Sequence, residues 1–233
     1  MTNSISKDLL QPPEGLRDDL QALIKYTQQP DLAGALSSLN VKTVLEVGPG
    51  YNAHVLGQIH QAFAKLGQPT RNHLFSVDPE HPLRDIFGVI LKEYQADPND
   101  ITIIENNLED VTATLGSQFD LVISRGVITA GAGMFTKQDP EAGRKQGFSL
   151  LKATHQCLNP DNPNSAAIFS TKTPGNLLPF LQSELEGIGL KTVFFKKADT
   201  EDAQDWIEIL QEDGIFPNGT QEKFFSLVVC QRK

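Results

Sequence analysis

The sequence predicts an α/β domain built on a mostly parallel sheet. Three observations carry this. Short, unbroken apolar runs recur from Val41 onward, as strands buried on both faces do. Between them, apolar residues return at three- and four-residue spacing, as on one face of a helix. The last run, Phe224–Cys230, has no full apolar helix before it, only the acidic stretch 198–213, so the final strand is expected to return antiparallel beside the sixth.

Taken in order, residues 1–40 hold helices and no strand. Pro12 and Pro13 are placed to open a helix through Leu16, Leu20, Leu23 and Ile24, and Asp31 to cap a shorter one. This segment is expected as a helical appendage over 1–40, able to cover a bound ligand, with the main domain spanning 41–233. Val44–Val47 is the first strand, and Val55, Leu56, Ile59, Phe63 and Leu66 mark the first crossover helix. Leu74–Asp78 is the second strand. Leu83, Ile86, Phe87, Ile90, Leu91 and Tyr94 form the stripe of the next helix. Ile101–Ile104 and Phe119–Ile123 are strands three and four. A helix through Phe148, Leu151 and Leu158 stops at Asn159-Pro160. Ala166–Phe169 is strand five, Leu177–Leu185 a helix and Thr192–Phe195 strand six. The sum is a Rossmann-like, doubly wound, three-layer sandwich on a seven-stranded sheet, whose right-handed crossovers place a ligand at the carboxyl ends of the strands.

Composition narrows the function. The 233 residues suffice for a real core, and 39% are hydrophobic, which is ordinary for a globule. No apolar stretch approaches the ~18 residues that cross a bilayer, and the start of the chain lacks a basic region followed by an apolar block, so a cytoplasmic protein without a membrane partner is expected. The net charge of −9 includes no basic stripe of the kind that neutralises phosphates, which makes nucleic acid an unfavourable partner. Cys157 and Cys230 lie far apart in sequence and show no metal-ligand spacing; buried free thiols and no metal are expected.

The chemistry concentrates at the strand ends. Glu46-Val-Gly48-Pro49-Gly50 ends the first strand in a turn whose glycines let backbone approach a ligand closely. Asp78 ends the second strand, where a carboxylate can accept hydroxyl protons. Asn106, Asn107 and Leu108 follow the third, and Ser124 and Arg125 end the fourth.

In this order and at these spacings, residues 41–233 resemble the class I S-adenosylmethionine-dependent methyltransferases. The resemblance implies that Glu46, Gly48, Pro49 and Gly50 face the amino-acid end of S-adenosylmethionine, that Asp78 holds the ribose hydroxyls, and that the loop over Glu105–Asp110 touches adenine. It implies a fourth-strand role for Phe119–Ser124 and an antiparallel last strand. Two departures stand out. Asn52 occupies the third glycine position, where asparagine tolerates a left-handed backbone. Ser124-Arg125-Gly126 also lacks the Asn-Pro-Pro-Tyr or Asp-Pro-Pro-Tyr tetrapeptide of amino-directed nucleic-acid methylases, which favours a small-molecule acceptor.

Other readings remain open at this point. Gly48-x-Gly50-x-x-Ala53 also fits a dinucleotide fingerprint, although Asp78 lies farther on than the ~20 residues that fingerprint expects. A cofactor-binding module without catalysis is a second alternative, since no clear base is present. The candidates are His54 and His81, each otherwise a solvated loop histidine, and Arg125, able to clamp an anionic acceptor or to pair with a carboxylate. His155 falls on an apolar stripe and reads as packing. The glycine-rich stretch 131–137 could close over an acceptor or simply connect elements. The acidic stretch 198–213 reads as a solvated helix face.

Overall fold

The computed structural model describes residues 11–49, 53–78, 84–125, 140–170, 185–197 and 225–233. Its strands are β1 (Val44–Val47), β2 (Leu74–Val77), β3 (Ile101–Ile104), β4 (Leu121–Arg125), β5 (Ala166–Ser170), β6 (Leu190–Lys197) and β7 (Phe225–Arg232). The described α-helices are α1 (Asp18–Thr27), α2 (Leu32–Ser38), α3 (His54–Lys65), α4 (Arg84–Glu93), α5 (Leu108–Leu115) and α6 (Pro140–Cys157).

The strands form one sheet in the order β3-β2-β1-β4-β5-β7-β6. β1 to β5 pair in parallel, and β7 runs antiparallel between β5 and β6. The antiparallel return was expected beside the sixth strand. Its insertion against β5 as well is the added feature, and it leaves β6 as the sheet edge.

Alternation along each strand divides the core. Val44, Leu74, Leu121, Ile123, Ala166, Ile168 and Val229 pack under α1 to α4 with Leu20, Leu36, Leu56, Phe63 and Ile90. Leu45, Val77, Val122, Ala167, Phe169 and Val228 pack under α5 and α6 with Val111, Leu151 and Leu158. Phe63, Phe119 and Phe169 are fully buried, and each stabilises the fold by about 1.5–3 kcal/mol relative to exposure. Cys157 and Cys230 are buried free thiols, and burial pushes both up to about 12.

Three local outcomes differ from the periodicity. α1 begins at Asp18, not at the prolines. Gly15 adopts φ +78, and Gln58 of α3 both donates to its carbonyl at 2.9 Å and accepts the Arg17 N–H at 3.1 Å, so this stretch is pinned as a turn. A helix, α5, occupies Leu108–Leu115, so the loop expected over Glu105–Asp110 ends at Asn107. His54 is the first residue of α3, and it is buried rather than solvated in a loop. Asp31 does cap α2, accepting the Gly34 N–H at 2.9 Å.

At the amino ends of the strands one buried carboxylate ties three segments together. Asp120 Oδ2 accepts the Lys42 N–H at 2.9 Å, the Thr43 N–H at 3.1 Å and the Thr43 hydroxyl at 3.1 Å. Its Oδ1 accepts from the Asn159 and Asn162 amides, both at 3.0 Å. Burial alone would raise its pKa, but the bonds from Asn162, Lys42, Asn159 and Thr43 outweigh this and hold the carboxyl below its ordinary range.

Candidate functional site at the carboxyl rim

The chain winds outward from β1 to β3, then crosses back to β4 on the other side of β1. The carboxyl ends of β1 and β4 therefore flank the switch in strand order, where open α/β sheets leave a crevice. Gly48 leaves β1 at this point. Its N–H donates to Val77 O of the neighbouring strand at 2.8 Å, and its φ is +64. An L side chain there would cost about 1–2 kcal/mol, so the turn requires glycine and keeps bare backbone at the rim. Pro49 beside it is buried.

The register aligns the other strand ends. Glu46 pairs with Ser76 and Ile123, and alternation puts it on the face of Val44, under α1 to α4. It is 3% exposed. Asp78 follows β2, half-buried, its N–H donating to Ile104 O at 3.1 Å. Asn106 and Asn107 are exposed; Asn106 Oδ1 accepts the Asn107 N–H at 3.0 Å, and Asn107 stands at the start of α5 without a side-chain cap bond. Leu108 is buried with Val111 in the core of the α5 face. Gly50, His81, the stretch 131–137 and the segment 198–213 lie outside the described residues.

β4 and β5 contribute a polar group of their own. Ser124 is 2% exposed, and its Oγ has no hydrogen-bond partner. Arg125 pairs in register with Ser170, and its Nε is buried without a partner. The Ser170 hydroxyl donates to Asp19 Oδ1 of α1 at 3.2 Å, while Asp19 Oδ2 is buried and unpartnered. Burial raises the Asp19 pKa, with Arg17 and the Ser170 bond opposing. Asp19 was not singled out in the sequence. An acidic residue beside a helix start reads as dipole complement, and its burial comes from α1 packing on β5, β6 and β7.

His54 is held from the side. Its Nδ1 lies 2.9 Å from the Tyr94 hydroxyl, and the rings meet edge-on. His155 is half-buried beside Gly189 and Arg232, and burial with the Arg232 charge lowers its pKa. A separate cleft of about 400 Å³ opens between Pro12–Leu16, α2, α3 and Tyr94; none of the expected cofactor residues lines it. Among the described residues no cluster of side chains could hold a metal ion, and no helix is long and apolar enough to cross a membrane.

The donor set suits an adenosyl sulfonium. Two carboxylates, Glu46 and Asp78, flank a side-chain-free backbone, matching a ligand with two cationic centres and a ribose diol.

No protein-family model matches the chain, and no curated protein sequence matches it. Solved structures do. A magnesium protoporphyrin IX methyltransferase from Synechocystis PCC 6803, determined with bound S-adenosylmethionine, is similar over 99% of this chain and 93% of that one, at 12% identity and a TM-score of 0.50. An uncharacterised protein from Burkholderia thailandensis is similar over 92% of this chain and 80% of that one, at 14% identity and a TM-score of 0.51. At such identities the likeness is one of fold, and the fold of this chain is that of the class I S-adenosylmethionine-dependent methyltransferases.

Proposed function

We propose that this chain transfers a methyl group from S-adenosylmethionine to a small-molecule acceptor. The observation that carries the reading is Gly48, with its positive φ, at the switch point of a sheet whose last strand runs antiparallel. A dinucleotide domain in its usual order, 3-2-1-4-5-6, has no such strand. The bound S-adenosylmethionine in a structure of the same fold supports the same ligand here.

When bound, the cofactor supplies a methyl group already activated on a sulfonium. The protein's part is then to bind, orient and exclude water. Glu46 and Asp78 provide the counter-charge and the ribose contacts, and Asn106, Asn107 and Leu108 border the adenine. Ser124 adds a polar contact to the cofactor, and Arg125 is the candidate clamp for an anionic acceptor. The net charge of −9 supports a small acceptor over nucleic acid.

Calorimetric titration with S-adenosylhomocysteine tests the site. The parent binds, and Asp78→Ala loses about 1.5–3 kcal/mol, roughly ten- to 150-fold in Kd. An unchanged Kd would remove Asp78 from the site. A non-catalytic binding module is the second reading, favoured by the engagement of His54 with Tyr94. Turnover of a labelled methyl group across amine, hydroxyl and carboxylate acceptors separates the two.

A further inference from the structure

Among the described residues, the start of α3 has no side-chain cap. Ala53 occupies the cap position without a side-chain hydrogen bond, and no acidic residue stands in the first turn. Local sequence therefore leaves this helix end poorly fixed. It is nevertheless the end that continues from the glycine turn, with His54 only six positions after Gly48.

Tertiary contacts hold the side chains of this first turn. The Tyr94 hydroxyl lies 2.9 Å from His54 Nδ1, and both residues are 4% exposed. The rings sit edge-on, with centroids 5.7 Å apart at 71°. The Tyr94 ring fills a notch that exists only because residue 57 is glycine: a Cβ there would run into the ring at Cδ2. One helical turn on from His54, Gln58 grips Gly15 and Arg17. Burial pushes the Tyr94 phenol up to about 12, with Arg17 opposing, so the hydroxyl keeps its proton in ordinary buffers.

The choice of a polar pair is informative. Two apolar rings of similar shape would pack the same space without a buried hydrogen bond to satisfy, often at no loss of stability. A directional bond fixes one position, which apolar contact does not.

We propose that Tyr94 is a positioning residue for the cofactor turn: it holds His54 and so fixes where α3 begins relative to Gly48 and the strand ends. The inference rests on the adenosyl reading of the rim. It gives Tyr94, which lies just past α4, a part in ligand affinity that its place in the helical stripe does not suggest.

Tyr94→Phe tests it, because the ring stays in the Gly57 notch and only the hydroxyl is lost. Two quantities are measured, the Kd for S-adenosylhomocysteine by calorimetry and the Tm without ligand. The expected result is a Kd raised about five- to twenty-fold. His54→Ala is expected to weaken binding similarly, His54→Asn to recover part of the loss by restoring a polar atom near Nδ1, and the double variant His54→Ala/Tyr94→Phe to be no weaker than the worse single one. If Tyr94→Phe does not fold, the comparison of His54→Ala with His54→Asn carries the test. A lowered Tm with an unchanged Kd in every variant means the pair is merely structural and overturns the proposal. Failure of the parent to bind overturns the reading of the rim together with this inference, whereas parent binding with unchanged variant affinity overturns this inference alone.

Discussion

Asp120 offers the sharpest stability prediction, because both of its oxygens are fully committed. Replacing it with asparagine changes one oxygen into an NH₂ group. In one rotamer that group faces the Lys42 and Thr43 N–H donors; in the other it faces the amides of Asn159 and Asn162. Those amides cannot turn over without loss, since their own oxygens accept the N–H groups of Asp161 and Asn164 at 3.0 Å. Either way at least two donors oppose a donor in a site that is 4% exposed. At about 1–3 kcal/mol for each buried donor left unsatisfied, Asp120→Asn should lose about 2–6 kcal/mol, a large part of the 5–15 kcal/mol typical of a domain. Urea unfolding followed by far-UV circular dichroism measures this. The sign with pH follows as well. A carboxyl held below its ordinary 3.8 contributes stability that is complete above that value and is lost as pH falls through the lowered one. The variant should therefore show a flatter acid limb than the parent. A loss under about 1 kcal/mol, or an unchanged acid limb, would refute the clamp.

Further predictions concern buried groups on both faces of the sheet. The Asp19 pKa is raised, so its ionisation opposes folding, and the parent should lose stability as pH rises above 3.8 through the raised value. Asp19→Asn keeps an oxygen for the Ser170 hydroxyl and should gain on the parent as pH rises above 3.8; denaturant midpoints that run parallel with pH for the two proteins would contradict this. Cys157 and Cys230, both buried with thiols near 12, should resist a chromogenic disulfide reagent in the native protein and react together in denaturant. Rapid native labelling of either would contradict their placement.

The sheet was legible because its parallel strands are short, mostly apolar runs. Val44–Val47, buried throughout, and Ile101–Ile104 appear at the expected residues. The strand-end pattern of Glu46, Gly48 and Asp78 was legible for a related reason: a parallel sheet brings carboxyl ends to one rim, whatever the intervening sequence. α5 escaped notice because eight residues give only Leu108, Val111 and Leu115 as a stripe, after two asparagines that read as a turn. The start of α1 was misplaced because Gln58, 43 residues beyond Gly15, holds the approach in place of a helix. The same limit hid Tyr94 and Asp19. Tyr94 falls on a helical stripe and Asp19 near a helix start, and the partners that give them meaning, His54 and Ser170, lie 40 and 151 positions away. Periodicity reports which face of an element is buried, not which polar groups meet there.

A crystal of the protein grown with S-adenosylhomocysteine would show whether the carboxyl rim holds the nucleoside. Nucleoside density is expected along the carboxyl rim, with backbone at Gly48 against the amino-acid end and the Asp78 carboxylate on the ribose hydroxyls. Ligand bound elsewhere, or a rim closed by the protein's own side chains at saturating ligand, would contradict it.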